Sequence, residues 1–431
     1  MFRRLASRLL ATIIFLVVSG WAAMAQTDGT YVGYSPYSVY GVGNIHQGGP
    51  AWSRGMGGIG IATRNKRVVN TENPASITAR DSLSFMSDFT LSGNMSLFTE
   101  GDKTGFNTTF NLENFVFSFP LWKNTGMMVG LSPFSEVGYY ITDTEVDYYS
   151  TTRTFSTYGN GGLYQVFIAG AATLFNRLSL GVQGNYIFGN INKTAATING
   201  DDSFLNFAAG DSLQVGNFNL KAGLQYMQPL GTKNSVVLGA TYRLSTPFRG
   251  YRINYVTNGT VSNKETNKIK DDNIYLGNEI GAGLAFRNSD VWCAEVNYTR
   301  SDWTNSNFEK VSGFANTGIS STFASGIGQS VKAGFEITPN RNDIRYFFKR
   351  CTYRAGAYYD SSYYTVNGSH VDAIGITLGM TLPVFRWYNG ISLGVDFGRR
   401  GLESSQIKQT YFGFNLGLSM FDIWFKKPRY E

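Results

Sequence analysis

The sequence predicts an all-β protein, a transmembrane antiparallel β-barrel of about fourteen strands with an N-terminal luminal hatch or plug. Three observations lead there. Apolar residues recur at every second position in segments of about ten residues, the length a tilted strand needs to cross a hydrocarbon layer. A secretory leader precedes these segments. Between them, short and long connections alternate, as they do in outer-membrane barrels, where the short turns are periplasmic and the long loops extracellular.

The leader comprises residues 1–25. Arg3, Arg4 and Arg8 form a basic start, Leu9 to Val18 an apolar run, and Ala23-Met-Ala25 an A-x-A cleavage site. The run is too short for a membrane helix, which needs about 20 apolar residues. The mature chain is therefore expected to begin at Gln26, and the pattern places the protein in a bacterial outer membrane. Residues 26–80 lack sustained alternation and are rich in glycine, including Gly55, Gly57, Gly58 and Gly60. Irregular backbone at membrane depth must be shielded from lipid, so this stretch is assigned to the bore.

Residues 81–425 form the barrel. Leu83, Phe85, Phe89 and Leu91 make the first apolar stripe. Phe115 to Leu121 and Met127 to Leu131 follow. The stretch 163–173 is ambiguous, because Val166, Phe167, Ile168 and Ala169 are apolar on both parities. The pattern returns at 178–188, 217–226, 236–244, 280–286 and 292–298, weakens at 331–337 and 352–360, and is clear at 374–382, 391–397 and 410–420. In the last segment Phe412, Phe414, Leu416, Leu418 and Met420 alternate with Gly413, Asn415, Gly417 and Ser419. Long loops are expected at 96–108, 138–162, 192–216, 246–276, 301–330, 361–371 and 399–409. The 338–351 connection is the exception to the alternation of lengths. Trp122, Trp292, Trp387 and Trp424 fall at periplasmic strand ends, where an aromatic belt belongs. Tyr139-Tyr140, Tyr148-Tyr149 and Tyr363-Tyr364 are read as the outer aromatic girdle, ahead of a capture surface for solutes. Residues 426–431 make a charged periplasmic tail.

Composition excludes several functions. Aromatic residues are 15% and glycines number 50, as strands with aromatic belts and tight turns require. The formal charge is +7, three units of it in the leader, with no Lys/Arg cluster for nucleic acid. Only His46 and His370 are present, so neither a catalytic triad nor a zinc cluster has material to draw on. No catalytic, cofactor-binding or metal-binding residue is assigned, and the protein is not expected to be an enzyme. Gly55-Met-Gly-Gly-Ile-Gly60 matches G-x-G-x-x-G but lacks the preceding strand and following helix of a dinucleotide site. Asp201-Asp202 and Asp271-Asp272 are read as solvated loop charge rather than calcium ligands. Cys293 and Cys351 are expected to be unpaired.

Several motifs together resemble one family. Ser53-Arg-Gly-Met-Gly-Gly-Ile-Gly-Ile-Ala62 followed by Asn73-Pro74-Ala75 is similar to the N-terminal hatch of the FadL/TodX outer-membrane transporters for long-chain fatty acids and other hydrophobic compounds. Phe119-Pro-Leu-Trp122 with Val129-Gly-Leu131, Leu178-Ser-Leu-Gly-Val182 and Tyr353-Arg-Ala-Gly-Ala-Tyr-Tyr-Asp360 resemble later strands of that family. Ser35 to Gly43 and Trp424 to Lys427 look like a Bacteroidota-type branch. The charged tail departs from barrels that end on an aromatic residue.

The resemblance implies a fourteen-stranded barrel with the hatch in its lumen. It also implies passive uptake of hydrophobic small molecules such as long-chain fatty acids, gated by a hatch that Asn73, Pro74 and Ala75 shape. Outer-membrane lipid and a hydrophobic ligand are the partners on this reading. FadL-like barrels also serve as subunits of outer-membrane protein machines, in barrel assembly or type IX secretion, and outer-membrane proteins are then the partners. A porin-like barrel is the third alternative, with Asn217, Asn219, Lys221, Gln225, Glu295 and Asn297 facing a polar lumen.

Overall fold

The computed structural model describes residues 33–46, 48–80, 84–146, 152–200, 205–258, 262–269, 273–311, 322–384, 390–403 and 406–423. The leader with Ala23, Ala25 and Gln26 lies outside the described residues. So do Asp201-Asp202, Asp271-Asp272, Tyr148-Tyr149, Trp387, Trp424 and the tail.

Fourteen antiparallel strands form the wall. In chain order they are β1 (Ser84–Glu100), β2 (Lys103–Pro120), β3 (Thr125–Val146), β4 (Thr152–Leu174), β5 (Leu178–Asn199), β6 (Phe207–Leu230), β7 (Asn234–Arg243), β8 (Asn278–Asn288), β9 (Trp292–Asp302), β10 (Ile327–Ile337), β11 (Thr352–Val366), β12 (Ser369–Pro383), β13 (Gly390–Arg400) and β14 (Lys408–Ile423). Each pairs with its chain neighbour, and β1 pairs with β14 from Ser84↔Ile423 to Thr99↔Lys408, which closes the ring. Closure leaves no strand with a wholly open edge, the requirement for strands in lipid.

The alternation sorts side chains as expected for such a wall. Phe218, Leu220 and Leu224 point outward and are exposed, while Asn217, Asn219 and Gln225 are buried inside. Ile374, Ile376 and Leu378 repeat the outward row on β12. The ambiguous 163–173 stretch has a physical explanation. Val166 and Ile168 face outward, whereas Phe167 and Ala169 face inward onto an apolar cluster with Val69, Ile77, Met86, Val116, Met128 and Phe421. Both parities are apolar because both faces meet apolar surroundings.

Several expected loops are strand. The 96–108 loop reduces to a turn at Gly101-Asp102, and 138–162 and 192–216 are largely extensions of β3 to β6, which run 22 to 24 residues each. Beyond the hydrocarbon layer the outward side chains no longer need to be apolar, so the period fades while the hydrogen-bond ladder continues. The 361–371 loop is a tight turn at Asn367-Gly368, both with positive φ, as a two-residue hairpin turn demands. The 246–276 loop holds a further hairpin, Gly250–Thr257 with Ser262–Lys268, that pairs onto the upper part of β6.

The wall is incomplete in one place. β2 and β3 pair only from Phe115↔Leu131 to Pro120↔Gly126. Near that point each strand bulges. Glu113 is skipped in the β1–β2 register and Phe134 in the β3–β4 register, and both turn inward and are buried. The free edge of β3 is taken instead by the N-terminal segment, whose Asn44 and Ile45 pair with Glu136 and Ser135. Ser35 N donates to Gly138 O at 2.7 Å, and His46 N donates to Phe134 O at 2.9 Å.

The β2 amides that point toward β3 above Phe115 lie outside the β2–β3 ladder. They are expected to exchange hydrogen at least about tenfold faster than amides of the fully paired β4–β5 ladder. Exchange mass spectrometry of the folded protein in detergent checks this, and equal protection in the two ladders would contradict the gap.

Candidate functional site

Residues 33–80 touch inward-facing groups around the ring, and the sequence of the wall allows it. Nine strands carry a glycine where the segment passes. On β5 and β6, Gly181 and Gly223 face Pro74-Ala75 and Asn73-Pro74. On β7 and β8, Gly239 and Gly283 face Ile61-Ala62. On β10 to β14, Gly334, Gly356, Gly379, Gly394 and Gly417 face Met56, Gly57, Gly55 and Ala51. A methyl group on Gly356 would lie 2.3 Å from Gly57 N, and one on Gly223 would lie 2.1 Å from Asn73 Oδ1. Only a hydrogen fits there. Several of these glycines pair across strands, as in Gly181↔Gly223, Gly334↔Gly356 and Gly379↔Gly394, and together they form a belt interrupted at β9. Sequence analysis missed this belt. Its signal was present as a glycine among the small residues of nearly every strand.

The residues singled out in the segment lie against this belt. Asn73 caps a 3₁₀ turn, Pro74–Ala79, with Oδ1 accepting from Ala75 N at 3.0 Å. Asn73 Nδ2 lies 2.8 Å from Ile61 O, 3.2 Å from Leu224 O on β6 and 3.4 Å from Ala240 O on β7. One fully buried amide thus ties the turn to its own segment and to two wall strands. Pro74 occupies the first turn position, where no N–H is needed. Gly57 and Gly58 have φ of +77° and +74°, and Gly57 N donates to Thr377 Oγ1 at 2.7 Å. Gly60 packs against Glu72, and Gly55 against Gly379. The glycine run is therefore a backbone packing surface and not the phosphate loop that its spacing imitates.

Charges bind the segment as well. Glu113, at the β2 bulge, accepts from Ser92 and pairs with His46 and with Arg54, whose Nη1 lies at 2.6 Å. Glu295 on β9 lies opposite Ala285 of β8 and Gly334 of β10, and accepts from Ala62 N at 2.9 Å and from Thr63 Oγ1. Gln225 Nε2 donates to Ile61 O at 2.9 Å. Arg64 reaches Ser179 at 2.7 Å, and Arg67 reaches Asp290 at 2.7 Å. The buried Lys193 ammonium donates to Val39 O at 2.7 Å and Gly41 O at 2.9 Å.

The outer end is closed by apolar packing. Tyr37, Val39, Tyr40 and Val42 of the segment join Phe134, Tyr139, Leu163, Ile191, Phe248, Trp303, Phe308, Tyr363 and Tyr364 in one buried cluster. Tyr363 OH donates to Gly43 O at 2.8 Å and Tyr364 OH to Tyr37 O at 3.0 Å. This corrects the girdle assignment for Tyr139, Tyr363 and Tyr364, which are 0%, 6% and 3% exposed and face inward. A register shift between Ser361 and Thr365 turns the last two into the bore. Tyr140 does face out. Below this lid lie two cavities of about 170 and 250 Å³ on either side of Asn44 to His46. Charged and polar groups line both, including Arg54, Glu136, Asp396 and Arg400 in the first and Glu72, Lys221, Glu279 and Lys332 in the second. Cys293 and Cys351 are both buried and free.

Two substitutions are expected to separate wall from segment. Gly223→Val drives a side chain into Asn73 and Pro74, so the barrel should still form while trypsin cuts rapidly after Arg54, Arg64 and Arg67. Glu113→Gln removes the counter-charge of Arg54 and is expected to destabilise the protein by about 3–5 kcal/mol. Limited proteolysis and urea unfolding followed by tryptophan fluorescence read the two effects.

Known proteins agree with this architecture. The model of the BamG family matches residues 1–431. No curated protein sequence matches the chain. Among solved structures, the Pseudomonas putida toluene transporter TodX superposes with a TM-score of 0.56 at 16% identity, covering 90% of this chain and 100% of its own. The Ralstonia pickettii toluene transporter TbuX gives 0.55 at 13% identity over 86% and 98%. A Pseudomonas aeruginosa FadL homologue gives 0.53 at 12% identity over 92% and 100%. At such identities the likeness speaks for the fold, a FadL/TodX-type outer-membrane β-barrel. By the family model, which spans the whole sequence, the chain belongs to the BamG family.

Proposed function

We propose that this protein is a structural subunit of an outer-membrane protein machine, with barrel assembly ahead of type IX secretion, and that its own bore is not a transport route. The observation that carries this reading is the state of the bore. The N-terminal segment is bonded to strands around the ring, the outer mouth is sealed by aromatic packing, and both intervening cavities are lined by charge. A hydrophobic solute is held by an apolar pocket with few polar groups, whereas each of these cavities carries several charges, the second facing an aromatic side with Phe134, Phe167 and Trp303. A scaffold benefits from this construction, because a wall braced from inside presents a fixed outer surface to partners. The family designation BamG is the reason for naming barrel assembly first. On this reading the protein carries no catalysis and no cofactor.

A second reading has its own observation. The gap between β2 and β3 is a lateral break in the wall at membrane depth, stopped by residues from Ser35 to His46 and by Arg54 paired with Glu113. The superposed structures are named as toluene transporters and a FadL homologue. Passive uptake of hydrophobic small molecules such as long-chain fatty acids would use that break. The hatch formed by Asn73, Pro74, Ala75 and the glycines Gly55, Gly57, Gly58 and Gly60 would then gate it. The porin-like reading is weaker, because Gln225 and Glu295 are already engaged by the segment.

Gentle detergent extraction of the tagged protein, followed by mass spectrometry, is expected to recover an outer-membrane protein partner in stoichiometric amount. Depleting the protein should lower the folded, heat-modifiable fraction of other barrels, and planar bilayers should show no steady conductance. A monodisperse protein without partners, whose loss abolishes uptake of labelled oleate or toluene, would overturn the subunit reading in favour of transport. If that uptake survives deletion of residues 26–80, the gating role fails.

A further inference from the structure

Among the described periplasmic connections, all but one are tight turns. β4–β5, β6–β7 and β8–β9 are joined by three residues each, whereas fourteen separate Ile337 from Thr352. This long connection is an ordered hook. Asp343 Oδ1 accepts from Arg345 N at 2.9 Å and Tyr346 N at 2.6 Å, and Asn340 N donates to Lys349 O at 2.8 Å across its base. One helical turn, α1 (Phe347–Arg350), forms the far limb.

The hook presents apolar side chains to its surroundings. Ile344 is 99% exposed, Phe348 68%, Tyr346 52% and Phe347 41%. Four large apolar groups on one solvated turn are costly and mark a contact surface. Bases are interleaved with them. Lys349 Nζ lies 4.7 Å from the Tyr346 ring centre and the Arg350 guanidinium 5.3 Å from that of Phe347, and Arg345 is exposed at the tip. Asp343 is the only acid between 338 and 351, and its carboxylate is already engaged by backbone N–H groups and by Lys349 at 3.8 Å.

Position decides the occupant. Tyr353 stands in the outward row of β11, and its hydroxyl donates to Phe348 O at 3.1 Å. The hook is therefore tied to the lipid-facing side of the wall and not to the mouth of the lumen. At the same level on adjacent strands, Trp292 stacks at 5.2 Å from Phe286 and lies tilted at 6.0 Å from Phe335, an aromatic belt of the kind found at a membrane interface. Just above, the outer face is recessed into an apolar groove of about 570 Å³ floored by Ala294, Ala333, Ala355 and Ala357.

We propose that the hook is a binding site for an anionic phospholipid of the periplasmic leaflet. Arg345, Lys349 and Arg350 engage the phosphate, Ile344 and Phe348 enter the boundary between headgroups and acyl chains, and one acyl chain follows the recessed wall. Charge complementarity selects an anionic headgroup, and long basic side chains with apolar stems suit that depth. The proposal is independent of whether the barrel transports solutes or belongs to a machine.

The full-length protein in nanodiscs of phosphatidylcholine with a minor fraction of phosphatidylglycerol is the test system. Released by detergent into native mass spectrometry, wild type is expected to retain phosphatidylglycerol over phosphatidylcholine. The variant Arg345→Gln/Lys349→Gln/Arg350→Gln should lose that preference by about fivefold for each charge removed. Heat-modifiable migration confirms that the variant is folded. A second measurement stands apart from the charges. A nitroxide on Ile344→Cys, in a Cys293→Ala/Cys351→Ala background, should collide with oxygen far more than with an aqueous nickel chelate. Equal retention of the two lipids by wild type, or unchanged retention in the triple variant, overturns the proposal. Nickel-dominated collisions place the hook in water and also overturn it.

Discussion

Backbone lies directly against backbone at one level of this barrel, where nine wall strands carry glycine. The belt from Gly181 to Gly417 lets the N-terminal segment sit within van der Waals contact of nine strands. Peptide groups at that depth need partners, and close approach brings wall amides, carbonyls and short polar side chains within reach. Asn73, Gln225, Thr377 and Glu295 supply those bonds only because the intervening positions are glycine. Larger side chains would hold the segment away and leave its polar backbone unsatisfied inside the membrane. The lid follows from the same seating, since Tyr37 to Val42 can close the outer end only if the chain below them is fixed.

The wall was legible because lipid imposes a rule at every second residue. Phe412 to Met420 and Phe218 to Leu224 cannot serve as anything but the outer face of a strand. The rule ends at the membrane surface, and so did the legibility. The upper halves of β3 to β6 obey no apolar period, and their lengths had to come from the structure. The rule also says nothing about the inward residues. A glycine between two outward leucines reads as a neutral small residue whether it faces water or another backbone. Tyr363 and Tyr364 were misread for a related reason. Two adjacent tyrosines in a strand point to opposite faces, and only the shift in register at Ser361 brings both to the same side.

The break between β2 and β3 is handled by local chemistry. Two bulges release the strands from one another, and the segment takes up the free edge of β3 as a short stand-in strand. On the other side of the break, the skipped residue is a carboxylate that clasps Arg54 and His46. Hydrogen bonds and charge thus replace a missing stretch of ladder. Such a joint is sound only while the segment stays in place, so the integrity of the wall and the position of the N-terminal residues are one property and not two.

The strands differ greatly in height. β3 to β6 run 22 to 24 residues, whereas β7 to β10 run 10 or 11. At about 3.3 Å per residue the longer group has tens of ångströms more strand. The cylinder therefore has a sloping crown, with a stiff parapet along one flank and a low sill along the other. A bulky neighbour in the same bilayer meets continuous strand on the tall flank and connecting segments over the sill, which gives an otherwise round object a front and a back.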